Sequence, residues 1–94
     1  MQVIFDITRG ETVTQVKTRP VNEVAFERQY GRGLATAFAG DDLRMEQIYW
    51  LAWHAEKTTQ KTDLQFDDWC AAIDEIELSM PTPATPLDPV PATG

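Results

Sequence analysis

The sequence predicts an α+β fold, mainly α, in which an N-terminal β-hairpin packs on a three-helix bundle and a disordered Pro-rich C-terminal tail follows. Three observations predict it. Residues 2–8 alternate between apolar and polar side chains, later segments repeat apolar side chains at helical spacing, and the last fourteen residues hold five prolines with almost nothing to bury. Ninety-four residues, 43% hydrophobic and 24% charged, suffice for one modest core. No internal repeat is visible, and the boundary of a single globular domain, residues 1–79, falls near Ser79.

Val3, Phe5 and Ile7 share one face of the first strand, and Gln2, Asp6 and Thr8 share the other. Arg9-Gly10 supplies a turn, and Glu11 to Thr18, rich in Thr and Val, completes a hairpin over 2–18. Val13 and Val16 are three apart, which breaks strict alternation and points to a bulge or an edge strand. Pro20 suits the first turn of a helix over about 20–30, because its missing N–H has no partner there in any case. Gly31 stands where a left-handed C-terminal cap is expected. Leu34 and Phe38, four apart, fit a short helical turn that Gly40 ends.

Asp41 and Asp42 open a second helix over about 42–59, acids being favourable at the positive end of the helix dipole. Met45, Ile48, Tyr49, Leu51, Ala52 and Ala55 fill one arc of its wheel. Leu43, Trp50 and Trp53 fall on the opposite side among Glu46, Gln47, His54 and Lys57, so the helix is apolar around much of its circumference. Either another helix of the domain covers that stripe, or it is an exposed aromatic patch of the kind that binds a partner. Thr62 with Gln65 reads as a capping box for a third helix over 65–79. There Phe66, Trp69, Cys70, Ile73 and Ile76 line one face, and Asp67, Asp68, Asp74 and Glu75 the other. Residues 80–94 read as a flexible tail.

The net charge of −7 is unevenly placed. Residues 1–61 hold all eight basic residues and eight acidic ones, whereas 62–94 hold Asp63, Asp67, Asp68, Asp74, Glu75, Glu77 and Asp88 with no Lys or Arg. Such a segment repels phosphate, which argues against nucleic acid and against an anionic membrane surface as partners. It fits a basic or neutral protein partner, or a solvated face that keeps the protein soluble. No apolar run approaches the roughly 18 residues of a membrane span, and the N-terminus lacks a basic region followed by an apolar one. The cytoplasm is therefore the expected location. A single cysteine, Cys70, excludes an internal disulfide.

Chemistry is sparse. His54, the only histidine, has no second ligand-type residue at metal spacing. Asp67 and Asp74 are seven apart, about 10.5 Å along a helix, too far to share one ion. Gly31-Arg32-Gly33 lacks the strand-to-helix setting and the lysine of a phosphate loop. Cys70, directed into the expected core beside Trp69, is an inert thiol there. No nucleophile–base or acid–base pair can be assembled, so the chain reads as a non-enzyme with no catalytic residue, metal or cofactor.

Three short patterns in order resemble the small tail assembly chaperones of long-tailed bacteriophages. Phe26-Glu27-Arg28-Gln29-Tyr30-Gly31 matches that family's Phe-Glu-Arg-x-aromatic-Gly element, Trp50-Leu51-Ala52-Trp53-His54-Ala55 its Tyr/Trp-Leu-Ala-Trp-x-Ala element, and Phe66-Asp67-Asp68-Trp69 its Phe-x-x-Trp/Phe element. The resemblance covers roughly residues 3–78. It departs where many relatives end the second helix in a Lys-Arg pair, since Ala55-Glu56-Lys57-Thr58 holds only the lysine.

The resemblance implies a non-enzymatic role: coating the long, helical tape measure protein until tail-tube subunits polymerise around it. It places the chain in the host bacterial cytoplasm, absent from the mature virion. Its partner is then the tape measure protein, with the tail-tube protein and self-association as further expectations. Family members are often made in two lengths, so residues 81–94 are either a short-form tail or a linker to an extension. Candidate contact residues are Leu43, Trp50 and His54 on the aromatic stripe and Asp67, Asp68, Asp74 and Glu75 on the acidic face. Phe26, Glu27, Arg28, Tyr30, Gly31, Trp53, Phe66 and Trp69 are expected to be structural, Trp53 buried, with Glu27 or Arg28 anchoring a neighbouring helix by a salt bridge. The rival reading is a small structural virion or head–tail connector subunit.

Overall fold

In the computed structural model, which describes residues 2–80, β1 (Ile4–Arg9) and β2 (Thr12–Lys17) form the expected hairpin. The expected tail, residues 81–94, lies outside the described residues. Gly10, at φ +59°, supplies the left-handed residue that a two-residue hairpin loop demands. The register runs without interruption from Ile4↔Lys17 to Arg9↔Thr12, so there is no bulge. Val13 is instead exposed on an edge strand, while Val16, opposite Phe5, turns inward. Val3, Phe5 and Ile7 are fully buried, as their alternation requires.

α1 (Pro20–Tyr30) starts at proline and ends at Gly31, φ +70°, whose N–H donates to the Glu27 carbonyl at 2.8 Å. α2 (Leu34–Ala39) is the short turn expected before Gly40. α3 (Met45–Thr58) begins three residues later than its acidic signal suggested. Asp42 does not cap it but pairs with Arg32 through two contacts of 3.1 and 3.2 Å, and that guanidinium lowers the Asp42 pKa. The N-terminal position before α3 is held by Arg44, which has no acceptor atom to offer. Gln47 compensates by reaching back to the Arg44 N–H at 3.2 Å.

The third predicted helix is two elements. α4 (Phe66–Ala72) covers only its first half. The chain then becomes extended at Ile73 and enters β3 (Glu75–Ser79), which pairs antiparallel with β1 from Ile4↔Ser79 to Thr8↔Glu75. Among the described residues the fold is therefore a three-stranded antiparallel sheet, order β2-β1-β3, with four helices. The reason lies in β1: its buried Phe5 and Ile7 have a second open edge, and Leu78 and Ile76 pair directly with them. Thr62 likewise caps no helix, for its hydroxyl accepts from the Leu64 N–H at 3.2 Å and Gln65 precedes α4.

The helices cover one face of the sheet. Phe26 of α1, Leu34 and Ala37 of α2, Leu51, Ala52, Trp53 and Ala55 of α3 and Trp69 of α4 join Val3, Phe5, Ile7 and Val16 in one apolar cluster. Burying a large apolar side chain stabilises by roughly 1.5–3 kcal/mol, so this cluster is the main source of the fold's stability.

Candidate functional site

The aromatic stripe of α3 is covered along most of its length by α1 and by the segment leading into α4. Trp53 is 9% exposed, as expected; its indole N–H donates to the Leu64 carbonyl at 2.9 Å, and its ring meets Phe66 edge-on at 5.6 Å. Lys57 lies over the Trp53 ring, 4.9 Å from its centre. Trp50 is only half-buried. Its ring lies 6.4 Å from Phe26, 5.8 Å from Tyr30 and 5.9 Å from Trp53, and it stacks on His54 at 5.0 Å with 14° between the planes. The domain thus hides more of its ring surface than the sequence suggested, and the half-buried rings that meet in a rim between α1 and α3 are Tyr30, Trp50 and His54, with Leu43 half-buried against the core. Met45, at the start of the apolar arc of α3, is 57% exposed.

Beneath this rim lies a polar joint that the sequence reading missed. Asn22, fully buried on α1, accepts from the Arg19 N–H through Oδ1 at 2.8 Å. That contact fixes the amide, so Nδ2 is the donor to Thr58 Oγ1 and to His54 Nδ1, each at 2.9 Å. His54 Nδ1 must then be an acceptor, leaving its proton on Nε2. Burial, and then the charge of Lys57, lower the His54 pKa below its ordinary value. Burial and then Glu46 push the Tyr30 hydroxyl up to about 12.

A second joint ties α3 to the sheet and to α4. Glu56, 1% exposed, receives Arg9 Nη2 at 2.6 Å and the Trp69 indole N–H at 2.9 Å on the same carboxylate oxygen, while the Arg9 guanidinium sits 5.9 Å from the centre of the Trp69 ring. The sequence held a signal for it. Glu56 follows Ala52 by four residues and so interrupts the apolar arc of α3, where a carboxylate needs a buried cation.

The acidic candidates do not share one surface. Asp67 and Asp68 are exposed in the first turn of α4. Asp74 is a structural residue: its Oδ2 accepts from the Gly10 N–H at 2.6 Å, and its own N–H donates to the Thr8 carbonyl at 2.9 Å. Glu75 starts β3 opposite Thr8. Of the shared-motif residues, Phe26 and Trp69 are fully buried, Tyr30 and Phe66 half-buried, and Gly31 the helix cap. Glu27 and Arg28 are exposed, and neither takes part in an ion pair among the described residues, which corrects the expected anchor. Their exposure explains it, for both lie off the face of α1 that carries Asn22 and Phe26 to α3.

Cys70 is half-buried, and burial followed by Asp67 raises its thiol pKa, which keeps it protonated. Among the described residues no group of three or more His, Cys, Asp or Glu side chains is placed to hold a metal ion, and no helix is long and apolar enough to cross a membrane. Compared with known proteins, the chain matches no family model, no curated protein and no solved structure.

Proposed function

We propose that this chain is a non-enzymatic tail assembly chaperone of a long-tailed bacteriophage. In this reading it binds the tape measure protein in the host cytoplasm and keeps it soluble until the tail tube polymerises. The observation that carries the proposal is the half-buried rim of Tyr30, Trp50 and His54 between α1 and α3, an amphipathic ring surface of the kind that receives apolar side chains of a helical client. The order of the three short sequence patterns supports it. Val21 and Val24, 53% and 47% exposed on α1, add apolar surface to the same helix. The acidic residues 62–80 supply the charge that keeps a loaded complex apart from its neighbours.

Co-expression with the tape measure protein of a long-tailed bacteriophage whose genome encodes this chain tests the proposal. The tape measure protein should move from the insoluble to the soluble fraction and co-purify with this chain. An unchanged soluble fraction overturns the proposal. Stoichiometric amounts of the chain in purified virions would also overturn it, in favour of a structural virion or connector subunit.

A further inference from the structure

We propose that the edge of β3, which no other described strand pairs with, accepts an extended basic segment of a partner protein as a fourth strand. This inference does not rest on the chaperone reading, whose client site is the ring rim between α1 and α3 and whose client is helical.

The first observation is the pattern of the ladder. The Thr18 N–H donates to the Val3 carbonyl at 2.9 Å, so the odd-numbered residues of β1 direct their main-chain groups to β2. The even-numbered ones serve β3 and pair with Ser79, Glu77 and Glu75. The N–H and C=O groups of Ile76 and Leu78 therefore point away from the sheet, and β3 is an edge strand. The other edge is guarded: on β2 the outward Gln15 carbonyl is taken by Lys61 Nζ at 3.2 Å.

Charge selects the occupant. On the sheet face away from the helices, Glu75 and Glu77 lie next to β1, and Glu77 stands directly opposite Asp6. No cation pairs with any of the three among the described residues, and Asp6 has only the Gln15 amide at 3.1 Å. Like charges placed opposite each other destabilise a sheet, and a cationic side chain arriving beside Glu77 removes that cost. A hollow of about 300 Å³ lined by Asp6, Glu77, Leu78 and Ser79 leaves room for it. On the other face Ile76 and Leu78 are half-buried and extend the apolar surface toward the edge. A fitting strand therefore alternates Lys or Arg with apolar residues. A second copy is a poor fit, because β3 against β3 sets glutamates against glutamates.

The test is titration of the full chain with a capped heptapeptide alternating Lys and Val, followed by amide hydrogen exchange. Exchange at Ile76 and Leu78 should slow at least tenfold. A peptide alternating Glu and Val, or the Lys–Val peptide N-methylated at alternate amides, should not slow it. The double variant Glu75→Lys with Glu77→Lys, both exposed positions, should bind the Lys–Val peptide at least tenfold more weakly. Protection at Val13 and Gln15 instead, protection at neither edge, or equal binding of the charge-reversed peptide overturns the proposal. The N-methylated peptide acts on the unaltered protein, so the result stands even if the double variant folds poorly.

Discussion

The indole N–H of Trp69 donates to Glu56 Oε1 at 2.9 Å, and that same oxygen receives Arg9 at 2.6 Å, so one buried carboxylate joins α4, α3 and β1. Removing it leaves a half-buried guanidinium and a buried indole N–H without their acceptor. Glu56→Ala is expected to cost about 2–4 kcal/mol, a large part of the roughly 5–10 kcal/mol that a domain of this size has, because the indole N–H is left unpaired in the core while the guanidinium keeps some contact with water. Glu56→Gln keeps an acceptor for the indole and should cost less, about 1–3 kcal/mol. Urea titration followed by tryptophan fluorescence reads both, and a loss under about 1 kcal/mol for Glu56→Ala would show that the joint is not what holds the three elements together.

The three tryptophans should separate by burial. Trp53→Ala and Trp69→Ala each empty a filled site and should cost about 3–5 kcal/mol. Trp50 is half-buried but touches four rings, so Trp50→Ala should cost less than either while still lowering the melting temperature measurably. If Trp50 were an exposed surface ring, Trp50→Ala would leave the melting temperature within a few degrees of the wild type. Thermal melts of the three variants side by side decide the order.

Where local pattern and tertiary demand agreed, the sequence was readable. The alternation of Val3, Phe5 and Ile7 and the left-handed Gly31 each follow from rules that act within a few residues, whereas the burial of Trp53 was expected from the resemblance and not from its place on the helical wheel. The third helix failed for a physical reason. Ile73 and Ile76 fit helical spacing, but Ile76 and Leu78 also fit a period of two, and a run this short cannot arbitrate. The open edge of β1 decided in favour of a strand, and that edge is invisible until the hairpin is built. With the helix went the single acidic face: Asp74 became a clasp on the Gly10 turn, and only Asp67 and Asp68 stayed on a helix. The rim was legible in Trp50 and His54, whereas Asn22, which fixes the imidazole, gave no signal beyond its place in the first turn of α1.

That imidazole makes stability depend on pH. His54 has a lowered pKa in the folded chain, so above about 6.5, where unfolded histidine is also neutral, its contribution is fully present. As the pH falls through 6.5 toward the lower folded value, the unfolded state takes up the proton first and stability drops. A proton on Nδ1 also opposes the Asn22 amide donor. Between pH 7 and 5 the melting temperature of the wild type should therefore fall more than that of His54→Gln. Carboxylates titrate in both proteins alike, so the difference between the two curves isolates the histidine, and parallel curves would refute the assignment.

The end of α3 stores backbone strain that a single substitution should release. Gln60 has φ +62°, the only positive φ of a non-glycine residue among those described. It is held there because the Lys61 N–H reaches the Glu56 carbonyl at 2.8 Å and the Gln60 N–H reaches the Lys57 carbonyl at 3.1 Å, a pairing that requires a left-handed residue between them. Side chains resist that conformation by about 1–2 kcal/mol, and glycine does not, although glycine also gives the unfolded chain more freedom. Gln60→Gly should accordingly raise stability by about 0.5–1 kcal/mol in urea titration. Gly31→Ala is the mirror experiment. It adds a Cβ at φ +70° with no atom within 4 Å to clash, so the loss it causes measures the backbone cost alone. If the two changes fail to come out with opposite signs, the left-handed caps do not control the helix ends.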